Sequence, residues 1–120
     1  MPTKLMEVSI PCRRYAHTRY FYTVVLGLPV GKEGKHHCFL DTGGSWRLAL
    51  VDALQLAAHT QPSGHGAYFN LSTDNLTHLR RRLQENSVRI EAETADEYGR
   101  NLTVHDPEGN VVNIFLEGTY

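Results

Sequence analysis

The stretch "VHDPEGNVVNIF" (104–115) reads as a strand, a tight turn led by Asp106 with Gly109 at its fourth position, and a second strand. The stretch "FLDTGGSWRLAL" (39–50) has the same grammar, with Asp41 leading the turn and Gly44 at its fourth position. One copy falls in each half of the chain, so the fold question becomes whether the halves repeat one another.

Working outward, "HTQPSGHG" (59–66) is dense in Pro, Ser and Gly and reads as a linker between two patterned regions. In the first region "LMEVSIPC" alternates, with Met6, Val8, Ile10 and Cys12 on one face and Leu5, Glu7, Ser9 and Pro11 on the other. A helix is predicted from Ala16 to Leu26, with a stripe of Tyr20, Phe21, Val24, Val25 and Leu28, a stop at Gly27, and Pro29 forbidding continuation. The segments "VGKEG", "HHCFLDTGG" and "WRLALVDA" then read as short strands. The second region repeats the order. "AYFNLS" alternates, and "STDNLTHLRRRLQENSV" is a helix with Ser72, Thr73 and Asp74 available as caps. Leu76, Leu79 and Leu83 form its buried stripe and Asn86 ends it. "RIEAE", "NLTVHD" and "NVVNIFLE" supply three strands.

The expectation is an α+β protein of two βαβββ modules, residues 1–58 and 67–120 around the linker 59–66. The modules pair to form a curled mixed sheet around a central cavity, with the helices outside. One helix covers one face of each sheet, so the other face needs a partner.

At 120 residues, 41% hydrophobic and 21% charged, the composition is that of an ordinary globular chain. A net charge of −1 gives no long-range pull toward nucleic acid or an anionic membrane. No apolar run reaches membrane-span length, and the start lacks a signal-peptide pattern. Cys12 and Cys38 have no metal or redox spacing and read as buried free thiols in a cytoplasmic protein.

"FYTVVLGLPV" (21–30) and "DPEGNVVNIF" (106–115) resemble the helix end and the last-strand turn of the vicinal oxygen chelate superfamily, which includes glyoxalase I, extradiol dioxygenases and bleomycin-resistance proteins. The resemblance implies the paired-module fold, a small-molecule ligand and a homodimer. It also implies ligand slots on the first and last strands of each half. Counted from the shared motifs, these fall on Glu7, on or next to Gly66 with His65 beside it, on Leu48, and on Asn113. That set makes a poor cation cage: one carboxylate, one amide, one aliphatic chain, and one slot without a side chain unless a bulge turns His65 inward.

By alternation, Trp46, Leu48, Tyr68, Asn70 and Phe115 share the face of Glu7 and Asn113. They are expected to line the cavity as ligand-binding residues, though rings on a sheet face also serve as filler between modules. Glu7 is either a surface carboxylate or, at the cavity floor, a group whose pKa burial raises toward proton transfer. The histidines do not assemble a metal site: His36 and His37 point to opposite faces, His17 and His78 sit on helices, and His105 ends a strand. "RRR" (80–82) spreads around a helix as a solvated face.

Two functions of different class follow. One is a metal-free binder of an aromatic or cationic compound, similar to bleomycin-resistance proteins, with Trp46, Tyr68 and Phe115 as walls and Glu7 and Asn113 as polar anchors. The alternative is a metal-dependent lyase or isomerase of the glyoxalase I type, or a relative of the ring-cleaving dioxygenases. It would hold zinc, nickel, manganese or iron through Glu7, His65 and Asn113, with Glu7 moving a proton.

Overall fold

The computed structural model describes residues 4–55, 68–96 and 99–118. The linker, with His65 and Gly66, lies outside the described residues. The chain divides into two compact units, Met1–Ser63 and Gly64–Tyr120.

The first unit holds β1 (Glu7–Cys12), α1 (Tyr15–Tyr20), a π-helical continuation (Phe21–Val25), β2 (Val30–Glu33), β3 (His37–Asp41), β4 (Arg47–Asp52) and a single 3₁₀ turn (Ala53–Gln55). Its strands form one mixed sheet, sheet 1, in the order β1-β4-β3-β2, with β1 parallel to β4 and the other pairs antiparallel. The second unit holds β5 (Tyr68–Thr73), α2 (Leu76–Glu85), β6 (Ala92–Asp96), β7 (Gly99–His105) and β8 (Val111–Leu116). Sheet 2 runs β5-β8-β7-β6 with the same pattern of directions. Each unit is thus a βαβββ module, and the class is α+β. In the second half the strand expected at "RIEAE" lies further along, over Ala92–Asp96.

In both modules the helix covers the apolar face of its sheet. Ile10, Cys12, Cys38, Leu40, Leu48 and Leu50 are buried on the helix side of sheet 1. The helix meets them with Thr18, Phe21, Tyr22 and Val25. This stripe differs from the expected one: Tyr20 and Val24 are 50% and 43% exposed. Spacings of three and four select Thr18, Phe21, Tyr22 and Val25 as one face. The turn then widens, because Leu26 donates its N–H to Phe21 and Leu28 donates to Tyr22. Gly27 ends the helix at φ 77°, a conformation that a side chain would strain.

In sheet 2, Val112, Ile114, Leu102 and Val104 pack beneath Leu76, Leu79 and Leu83 of α2, all buried. Each such side chain contributes roughly 1.5–3 kcal/mol on leaving water. The N-cap of α2 is Asn75, whose side chain accepts the His78 N–H at 3.0 Å. Ser72 and Thr73, expected as caps, are the last residues of β5. Asn86 closes the other end, its side chain donating to the Arg82 carbonyl at 2.8 Å.

The two echo turns are built differently. Asp41 pairs with Arg47 and His105 with Val111, leaving residues 42–46 and 106–110 between the strand ends. Asp106 lies past its strand and folds into the turn, where it is buried. Its carboxylate accepts the backbone N–H groups of Glu108 and Asn110 and the Asn110 side chain. Asp41 is still inside its strand. Register aligns it with His105, so the Asp-led echo is out of phase by one residue.

Candidate functional site

That single residue decides which side chains face away from the helix. Residues directly opposed across a ladder project to the same side of the sheet. On sheet 1 the row Glu7–Arg47–Asp41 lies on the outer face, followed by Ser9–Ala49–Phe39–Lys32 and then Pro11–Val51–His37. Leu48 pairs with Val8 and Leu40 and is 3% exposed under the helix, so it does not share the face of Glu7 as alternation from the Asp-led turn suggested. A slip of one residue turns every side chain to the other face. The place on β4 that corresponds by register to Asn113 on β8 is Ala49, and the place of Glu7 on β1 corresponds to Tyr68 on β5. Trp46 lies in the turn before β4, where strand alternation no longer governs it.

The outer face of sheet 1 carries a connected set of polar and aromatic groups. Arg47 Nε donates to Glu7 Oε1 at 2.7 Å, and Ser9 Oγ donates to Glu7 Oε2 at 2.8 Å. The Arg47 guanidinium lies 3.7 Å above the centre of the Phe39 ring, a cation–π contact. Phe39 in turn packs against the His37 ring at 4.7 Å between centroids. Hydrogen bonds from Arg47 and then Ser9 hold the Glu7 carboxyl below its ordinary value, outweighing the upward push of burial. Of the two readings of Glu7 this geometry matches the surface carboxylate, not the buried group of raised pKa, because a charged hydrogen-bond partner sits beside it. At the end of the sheet where β3 leaves and β4 enters, a groove of about 410 Å³ opens, lined by Met6, Lys32, Phe39, Asp41, Trp46 and Arg47 among others.

On sheet 2 the outer face carries Tyr68, Asn70 and Ser72 beside Val111, Asn113 and Phe115. Thr103 Oγ1 donates to Asn113 Oδ1 at 2.8 Å, and Asn113 Nδ2 donates to Asn70 Oδ1 at 3.1 Å. One row across β5, β8 and β7 is thus tied by side chains alone. In the next row Asn101, opposite Phe115, donates to Thr94 Oγ1 at 2.8 Å. Tyr68 is 67% exposed, and Phe115 is half-buried. Of the residues expected in the site, the structure joins Asn70 to Asn113 directly and sets Tyr68 and Phe115 in the flanking rows.

Arg47, Phe39, Ser9 and Thr103 were not singled out in the sequence. Ser9 had already been assigned to the face of Glu7 by alternation, and Phe39 and Asp41 alternate with Cys38 and Leu40. Phasing β3 and β4 from that pattern, not from the turn, would have found Phe39 and Arg47.

The family model described as Glyoxalase/Bleomycin resistance protein/Dioxygenase superfamily matches residues 4–114. The chain belongs to that superfamily. This is the vicinal oxygen chelate superfamily. Among solved structures, lactoylglutathione lyase from Agrobacterium tumefaciens is similar over 100% of both chains, with 20% identity and a TM-score of 0.74. TnmS3, an antibiotic binding protein from Streptomyces sp. CB03234, is similar over 96% of both chains, with 24% identity and a TM-score of 0.71. A glyoxalase/bleomycin resistance protein from the same Streptomyces strain is 25% identical over 93% of this chain and 99% of that one, with a TM-score of 0.68. No curated protein matches the chain.

The divalent metal used by some vicinal oxygen chelate proteins does not fit the described residues. Both Glu7 oxygens already accept a hydrogen bond, one from a guanidinium whose positive charge opposes a cation at the same carboxylate. The Asn113 amide is engaged at both ends, by Thr103 and Asn70. No group of three or more His, Cys, Asp or Glu among the described residues is arranged to hold an ion. No helix among them is long and apolar enough to cross a membrane.

Proposed function

We propose that this superfamily member binds a small aromatic compound without the aid of a divalent metal. One observation carries the reading: the groups that would grip an ion are held by protein partners, Glu7 by Arg47 and Ser9, and Asn113 by Thr103 and Asn70. What the outer faces offer a ligand are ring surfaces and side-chain amides. Phe39 and Trp46 line the groove of sheet 1, and Tyr68 and Phe115 flank the amide row of sheet 2. Such a mixture of apolar area and a few fixed polar groups suits recognition of a flat organic molecule. Members of the superfamily typically bind small molecules and are often dimeric, which agrees with this reading.

Glu7 takes a different part from the polar anchor for an aromatic or cationic compound expected from sequence. Its negative charge is matched by Arg47, so it orients the guanidinium, and the ligand meets Arg47. Leu48, beneath the helix, has no part in binding.

Trp46 is the sole tryptophan of the chain and lines the groove, so its fluorescence reports on that site directly. Protein treated with chelator and dialysed is expected to show saturable quenching of this emission by planar aromatic compounds. Quenching that disappears on metal removal and returns with added zinc, nickel or manganese would instead favour the lyase or isomerase reading.

A further inference from the structure

The charge of the ligand can be read from the same groove, an inference that rests on the binding function proposed above. Three features set it. The first is the state of Arg47. Its Nε is taken by Glu7 and one face of its plane lies on Phe39, while its terminal nitrogens have no hydrogen-bond partner among the described residues. The side chain is 45% exposed and borders the groove. A guanidinium fixed on one edge and one face presents its remaining N–H groups in a rigid fork, which matches a carboxylate.

The second feature is a bulge in β2. Val30 pairs with Leu40, yet Lys32 pairs with Phe39 and Glu33 with Cys38, so Gly31 is the extra residue. Without the bulge Lys32 would stand opposite Cys38, on the helix side. With it, Lys32 reaches the outer face beside Phe39 and lines the groove, while Glu33 turns to the helix side and pairs with Arg19. The bulge therefore brings a positive charge to this face and removes a negative one. Bulges commonly re-aim side chains at functional sites.

The third feature is the state of the acids. Glu7 is paired with Arg47, and Asp41, at the groove's edge, has its Oδ1 engaged by the Gly43 N–H at 2.8 Å. The donors Lys32 and Arg47 line the groove with the rings of Phe39 and Trp46, and Asp41 is the one carboxylate among its lining residues.

We propose that the sheet 1 groove is a binding site for a planar organic anion, an aromatic carboxylate or phenolate, which accepts hydrogen bonds from Arg47 and Lys32 and lies against Trp46. Arg47 lies over Phe39 and Lys32 is paired beside it, so both positive charges border the one groove. A volume of about 410 Å³ accommodates a two-ring compound.

The test uses three probes of nearly equal size: 2-naphthoate, 2-naphthamide and 2-naphthylmethylammonium. Binding to the full chain is followed by calorimetry and by the single indole N–H cross-peak of Trp46 in a nitrogen–proton correlation spectrum. Naphthoate is expected to move that peak and to bind about tenfold more tightly than the amide, with the ammonium weakest. Added sodium chloride should weaken naphthoate selectively. Arg47→Met should erase the preference for acid over amide, and Lys32→Gln, on an exposed edge strand, should reduce it severalfold. The second variant keeps the test valid if the first does not fold.

Equal affinity for acid and amide, tighter binding of the ammonium, or no Trp46 response to any of the three at millimolar concentration overturns the proposal. The first two outcomes, accompanied by a Trp46 shift, would leave the metal-free binding function standing. Recovery of one tightly held metal ion per chain would remove that function even if naphthoate still bound.

Discussion

Replacing Glu7 by Gln deletes one charge from the outer face of sheet 1 and leaves shape and volume almost unchanged. The expected loss follows from the geometry. The pair is direct, with Nε 2.7 Å from Oε1, but its side chains are 45% and 23% exposed, so water screens much of the attraction. Exposed ion pairs contribute about 0.2–1 kcal/mol. The upper part of that range is appropriate here, because Phe39 already orders Arg47 and Ser9 already orders Glu7, which lowers the entropy lost in forming the pair. We expect Glu7→Gln to lose about 0.5–1 kcal/mol at neutral pH, or roughly 2–6 °C in melting temperature.

The pH dependence has a definite sign. The folded state holds the Glu7 pKa below its unfolded value, so the unfolded chain binds more protons and stability rises with pH across that interval. The contribution is complete above the ordinary carboxylate range and vanishes as pH falls through the folded value. The gap between wild type and variant, measured by urea unfolding at several pH values, should therefore close in acid. A cycle with Arg47→Met should show a coupling energy of the same size at neutral pH. A gap that widens in acid, or a loss of several kcal/mol that chelator reproduces in the wild type, would refute the ion-pair assignment.

Asp106→Ala removes an acceptor that is 4% exposed and ties together the β7–β8 turn through Glu108 and Asn110. A loss of about 2–4 kcal/mol is expected in the urea midpoint, since the backbone donors of Glu108 and Asn110 lose a charged partner. Thr103→Val keeps the side-chain shape but leaves Asn113 Oδ1 without its hydroxyl donor. About 1 kcal/mol of destabilisation is expected, together with a shift of the Asn113 side-chain amide resonances.

Much of the fold was legible because both modules obey simple periodicities. Strand alternation separated Ile10 and Cys12 from Glu7 and Ser9, and helical spacing selected Leu76, Leu79 and Leu83. The helix of the first half was harder to phase, because its π-helical turn and the inclusion of Thr18 in the buried face follow no apolar pattern. The candidate site was legible on sheet 2, where Asn70 and Asn113 meet as neighbours. On sheet 1 it was misread by one residue. Asp41 and Asp106 look equivalent in sequence, but one closes a strand and the other folds into a turn. Phase carried from Asp41 therefore brought Leu48 to the outer face in place of Ala49, and Arg47 was missed with it. Lys32 was beyond any alternation argument, since a bulge at Gly31 is a property of backbone pairing and leaves no periodic trace.

The central claim is that the polar groups of the site hold one another and leave no grip for a cation. Elemental analysis of the full chain, purified without chelator and passed through a desalting column, tests it most directly. The account expects zinc, nickel, manganese and iron all far below one equivalent, with Trp46 quenching by aromatic ligands intact. One equivalent of any of these ions, surviving desalting and lost in Glu7→Gln, would contradict it.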